Sequence, residues 1–178
     1  FFDNSKINLK LEKVSNDDYT KMYSLESTSP IIKDTNILEN IFEFSGSGDD
    51  LNFNLSFESY ESMNKLNSDK YEFVYPNYSL SKAIDLESDL VESLDFSSTG
   101  NQKKFSTNIY EAIQVNDLIL TSSKFINKLG FNNKLKTIIK NVNSDSNNSS
   151  KLKEKKQSEL LTLISYDVDV PLVKEDGD

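Results

Sequence analysis

The chain contains no cysteine, histidine, tryptophan or arginine, and all 20 of its cationic residues are lysine. Each absence closes a chemistry. Without cysteine there is no disulfide, no thiolate nucleophile and no cysteine-ligated metal. Without histidine the commonest general base and metal ligand is gone, so Ser-His-Asp and Cys-His catalysis are excluded within this chain. Zinc, copper, iron–sulfur and haem sites of the usual kinds lack ligands. Without arginine there is no bidentate clamp on phosphate or guanine. An enzyme would have to run on Asp, Glu, Lys, Ser, Thr and Tyr alone. The expectation is no enzyme, no catalytic residue, no cofactor and no metal.

Long apolar runs are also missing. No segment approaches the ~20 consecutive apolar residues of a spanning helix. Residues 1–20 lack the basic region and apolar core of a signal peptide. Phe1 is not an initiator methionine, which reads as a processed product or an excised piece.

What is present is polar: 20 Asn, 26 Ser and 8 Thr among 178 residues, with 36% hydrophobic. Lysine and asparagine have A/T-rich codons, so a biased genome accounts for much of this pattern. Area scaling lets a chain of this size bury ~70% of its surface. The reading is a single domain over 1–178. A low-complexity loop at 143–157 has too little apolar surface to repay ordering and reads as mobile, and 172–178 reads as an acidic tail.

Charge is segregated. The formal total is −9. Residues 1–100 carry 8 Lys against 19 acids, 101–156 carry 11 Lys against 4 acids, and 157–178 carry 1 Lys against 6 acids. An acidic body with one basic stretch is a poor candidate for wrapping nucleic acid.

Alternation of apolar and polar residues predicts strands at 7–14, 19–25, 41–45, 51–60, 71–75 (stopped by Pro76) and 160–170. Leu51, Phe53, Leu55 and Phe57 alternate strictly with Asn52, Asn54 and Ser56. Between 79 and 142 the spacing reads as helical. Leu80, Ala83, Ile84, Leu90, Val91 and Leu94 suggest one helix. A second runs from about Thr107 to Leu120, capped by Ser106, Thr107 or Asn108. A third covers about 122–129, closed by Gly130, and a fourth carries Leu135, Ile138, Ile139 and Val142 at i, i+3, i+4 and i+7. The predicted fold is α+β: an antiparallel sheet of about five to six strands with three to four helices on one face.

Short motifs carry bland readings. Gly46-Ser47-Gly48 resembles half of a phosphate loop, but a hairpin turn suits it better. Residues 143–154 have the oxygen spacing of a calcium loop, yet the glycine is missing and lysines crowd it. Asp167 and Asp169 share one face of a strand. Ser79 and Lys82 fit Ser-Lys nucleophile spacing on a helix.

Lys124, Lys128, Lys134, Lys136 and Lys140 are the candidate partner-binding residues, on the helices predicted over 122–142. They would meet an acidic protein surface, anionic lipid or RNA, or dock on the chain's own acidic body. The leading functional expectation is a non-enzymatic protein–protein interaction module, a subunit or scaffold of an intracellular complex. The alternative is an extracellular or cell-surface binding domain, and the third is a carboxylate- or Ser-Lys-based hydrolase. The chain reads as soluble, intracellular in preference to surface-exposed, with no transmembrane segment. Partner identity and oligomeric state are not written in the sequence.

Overall fold

A computed structural model describes residues 2–16, 36–106 and 108–170. Within them the chain forms nine β-strands and one short 3₁₀ turn at Asn67–Lys70. The strands are β1 (Asn4–Lys10), β2 (Ile37–Ser47), β3 (Leu51–Ser62), β4 (Tyr71–Ile84), β5 (Val91–Phe105), β6 (Ile109–Ser122), β7 (Phe125–Ile126), β8 (Asn132–Asn147) and β9 (Gln157–Asp169). All belong to one antiparallel sheet. Its order is β1-β2-β3-β4-β5-β6-β8, with β7 and β9 both pairing with β8.

This overturns the α+β expectation: no α-helix occurs among the described residues. The reason lies in strands that carry apolar residues on both faces. Leu135 and Ile139 share one face of β8, while Ile138 and Val142 share the other. Two interleaved period-two patterns reproduce the helical i, i+3, i+4, i+7 spacing. Composition favours the strand, because β-branched Thr137, Ile138, Ile139 and Val142 suit a pleated surface. The presumed helix caps are turn residues instead. Ser106 (φ 42°) and Asn108 (φ 79°) adopt left-handed backbone in the turn between β5 and β6, and Gly130 (φ 84°) turns the chain into β8. Thr107 lies outside the described residues.

Of the expected strands, 7–14 overlaps β1 only over 7–10, 41–45 lies within β2, 51–60 within β3, and 160–170 overlaps β9 up to Asp169. The strand expected at 19–25 and the tail at 172–178 fall outside the described residues. Pro76 does not stop its strand. It sits in β4 where the register with β3 and β5 shifts, a bulge that absorbs the missing N–H. Gly46 and Ser47 end β2, and the hairpin turn follows at 48–50, with Gly48 N donating to Leu51 O at 2.7 Å. Residues 143–147 are the end of β8. The following turn at 148–156 is tied by Ser146 Oγ donating to Lys153 O and Asn148 N donating to Glu154.

The sheet is a single layer. Among the described residues only Leu38, Met63 and Val74 are buried apolar side chains. Seven strands run 11 to 16 residues, against a usual length of about 5–6 in globular proteins.

Candidate functional site

The registers sort side chains onto two faces. On one, Leu9, Phe42 and Phe57 stand side by side, as do Ile7, Phe44, Leu55 and Tyr78. Phe53 sits opposite Leu80, and Phe96, Leu118 and Ile139 form a further row. Phe2 adds its ring against Phe44 and Phe53, and Tyr71 stacks on Phe73, which meets Tyr75 edge-on. Many of these groups face outward with nothing over them among the described residues: Ile7 and Leu9 are each 65% exposed, Phe42 40% and Phe57 43%. A contiguous apolar surface of this extent marks a binding or membrane-contacting face.

Over β1 to β4 the opposite face is polar and internally bonded. Glu43 accepts from Asn8 Nδ2 at 2.9 Å and Asn54 Nδ2 at 2.8 Å, joining three strands. Glu58 accepts from Ser56 Oγ at 2.6 Å, Tyr60 OH at 2.7 Å and Asn77 Nδ2 at 3.3 Å. Lys10 bridges Glu39 and Glu12. Glu39 is 3% exposed and Ser56 5%. The usual globular arrangement is reversed: hydrogen-bonded polar groups are sheltered while large apolar groups stand free.

The apolar band crosses the sheet obliquely. The row through Phe44 continues across Leu55, Tyr78, Gly100, Gln114 and Asn143 to Ser158 on β9. The apolar residues of β9 on that face, Leu160, Ile164, Tyr166 and Val168, lie two to ten residues past Ser158 and centre about six residues beyond it. Over the six steps from β2 to β9 the band therefore drifts by about one residue per strand. With ~3.3 Å per residue along a strand and ~4.8 Å between strands, this is a tilt of ~35°.

Beside the band on the same face runs a polar ladder. Tyr78 OH and Ser98 Oγ are 3.3 Å apart, Ser98 donates to Asn116 at 2.7 Å, and Asn116 donates to Asn141 at 3.1 Å. Asn141 also accepts from Asn143 and donates to Ser158. A shallow cavity of about 470 Å³ lies at this level, lined by Tyr78, Gln102, Gln114, Asn143 and Asp145 among others.

The five candidate lysines are not on helices. Lys134, Lys136 and Lys140 share one face of β8 with Ile138 and Val142, whereas Lys124 and Lys128 lie exposed in the loop around β7. Lys134 pairs with Glu92 at 2.7 Å and Lys140 with Asp117 at 2.8 Å. Lys151, Lys153, Lys155 and Lys156, where low complexity obscured them on the turn between β8 and β9, form no ion pair among the described residues, and neither do Lys124, Lys128 and Lys136. A Lys-rich run flanked by Asn and Ser was the available signal.

Ser79 and Lys82, three residues apart on β4, point to opposite faces, so the helical dyad spacing does not arise. Asp167 and Asp169 share a face, opposite Lys134 and Asn132. Among the described residues no group of three or more acidic side chains is arranged to hold a metal ion. No helix among them is long and apolar enough to cross a membrane. Comparison with known proteins returns no matching family model, no matching curated protein and no matching solved structure.

Proposed function

We propose that this chain forms part of the wall of a membrane-spanning β-barrel, with the aromatic and aliphatic face toward lipid and the other face, polar and hydrogen-bonded over β1 to β4, toward the interior. The observation that carries the reading is the oblique apolar band. Strands of a closed barrel tilt by about 35–45° to the barrel axis, so a band perpendicular to that axis must drift across the register rows. A drift of about one residue per strand matches that tilt. At this tilt a hydrocarbon layer ~25 Å thick needs ~9 residues per strand, and β2 to β6, β8 and β9 each exceed that. Nearest-neighbour antiparallel order is the barrel's connectivity. In the closed barrel the free edges of β1 and β9 pair with further strands, which removes the open edges.

The role is structural and non-enzymatic. Interaction with another protein remains a second reading, favoured by β9. Its Leu160, Leu161, Leu163 and Ile164 are exposed on both faces of an edge strand, which suits strand addition by a partner.

The native chain has no cysteine, so single-cysteine spin labels test the assignment cleanly. Labels at residues 53 to 57 of the full chain in phosphatidylcholine vesicles should alternate: 53, 55 and 57 accessible to oxygen, 54 and 56 to a water-soluble nickel chelate. Uniform access to the nickel chelate would overturn the membrane assignment. A β-structured, vesicle-free species that retains a bound protein would favour the second reading.

A further inference from the structure

The two ends of the sheet carry opposite charge. The turns at 63–70, 106–108 and 148–156 lie at one end, and those at 48–50, 85–90 and 123–131 at the other. The first set holds Lys65, Lys70, Lys151, Lys153, Lys155 and Lys156 against Asp69 and Glu154. The second holds Asp49, Asp50, Asp85, Glu87 and Asp89 against Lys124 and Lys128. We infer that the lysine turn at 151–156 is a docking surface for anionic lipid headgroups at the membrane face adjoining the 148–156 end. The inference rests on the barrel reading for its geometry.

Three features support it. The turn is built rather than slack. Ser149 Oγ accepts from Lys151 N and Leu152 N and donates to Glu111, and Asn148 Nδ2 donates to Asn108 O. Second, two acids at the turn, Glu154 and Glu111, are hydrogen-bonded to the turn itself rather than to its lysines. Glu154 accepts from Asn148 N and Glu111 from Ser149, and none of the four ammonium groups forms an ion pair among the described residues. Lys10, Lys70, Lys134 and Lys140, by contrast, all have carboxylate partners. Third, the height fits. On β8 the apolar band ends near Ile139, and Lys156, next to Gln157 opposite Ser144, lies level with Asp145. At the band's tilt this sets the lysines roughly 10–15 Å beyond the hydrocarbon edge, in the headgroup zone and just above it. Paired lysines would be neutral to a phosphate surface, whereas four unpaired ones attract it over a Debye length.

The experiment uses the full chain with vesicles of phosphatidylcholine alone or mixed with phosphatidylglycerol, read by co-sedimentation. The wild type should partition on the order of 100-fold more strongly to the anionic vesicles, with the preference collapsing in high salt. The variant K151Q/K153Q/K155Q/K156Q should lose most of it, while K124Q/K128Q at the acidic end should keep it. Equal wild-type partitioning to both vesicle types, or full preference in the quadruple variant, would overturn the inference. Displacement by inorganic phosphate beyond that by chloride at equal ionic strength would also overturn it, assigning the lysines to a free anion. The spin-label pattern in phosphatidylcholine separates the two readings. Lost alternation with intact anionic preference would remove the barrel and leave a peripheral surface. Intact alternation without preference would remove only this inference.

Discussion

The ring of Tyr78 on β4 lies over Gly100, its register partner on β5, so closely that a Cβ at position 100 would sit 2.6 Å from the ring. The tyrosine hydroxyl then reaches Ser98, which is 7% exposed, and starts the polar ladder across β6 and β8. Only the glycine leaves room for the ring to lie flat against the sheet. Gly100→Ala should therefore destabilise by about 1–3 kcal/mol through overpacking. In a Tyr78→Ala background the same change should cost far less. A double-mutant cycle on urea midpoints in detergent or vesicles checks this, and additive losses would show that the ring does not depend on the glycine.

Phe96 and Ser97 are adjacent on β5 but face opposite ways, Phe96 beside Leu118 and Ser97 opposite Asp117. Phe96→Arg should weaken insertion by about 2–4 kcal/mol, the cost of a cation near the middle of a lipid-facing strand. Ser97→Arg should be nearly neutral, since it meets a polar surface and an acid. Equilibrium unfolding from vesicles of the two variants gives the comparison, and equal losses would contradict the assignment of faces.

Asp117 accepts from Lys140 through Oδ2, while its Oδ1 is buried with no hydrogen-bond partner among the described residues. Removing the cation alone leaves an under-solvated carboxylate. Lys140→Met should cost about 1–3 kcal/mol, and Lys140→Met combined with Asp117→Asn should recover part of that loss. Thermal unfolding of the two single variants and the double variant tests the order. A double variant worse than Lys140→Met would contradict it.

Ser149 holds the lysine turn through three hydrogen bonds. Ser149→Ala should open the turn locally, at about 1 kcal/mol, without lowering global stability to the same extent. Hydrogen exchange should quicken at the amides of Lys151 and Leu152 and stay unchanged in β3. Unchanged exchange at the turn would mean that the backbone, not the hydroxyl, sets its shape.

The legible parts of the fold were those where one face of a strand is apolar and the other polar. Leu51 to Phe57 and Ile164 to Val170 alternate cleanly, and both segments lie in or overlap strands of the sheet. The hairpin after Gly46–Gly48 was legible because its turn, at 48–50, needs few residues and they are local. The segment from 79 to 142 was not. Apolar residues such as Leu118 and Ile119, or Ile138 and Ile139, occupy both faces of the same strand, and period two doubled in this way imitates period 3.6. Pro76 misled for a related reason: a proline stops a regular ladder, but a bulge accommodates it.

The candidate lysines show the same division. Their clustering in sequence was visible, yet whether an ammonium group is free depends on which strand stands beside it. Lys134 and Lys140 meet Glu92 and Asp117, which lie 42 and 23 positions away in the chain.

The sequence by itself determined the chemistry this protein lacks, the polar–apolar alternation of its cleanest strands, and the segregation of its charge, because these depend only on residue identity and near neighbours. The tertiary structure decided the all-β fold, the oblique band and the unpaired lysines of the last turn. Strand pairing joins residues that are distant in the chain, and the register of each pair, not the composition of either strand, sets which side chains share a face.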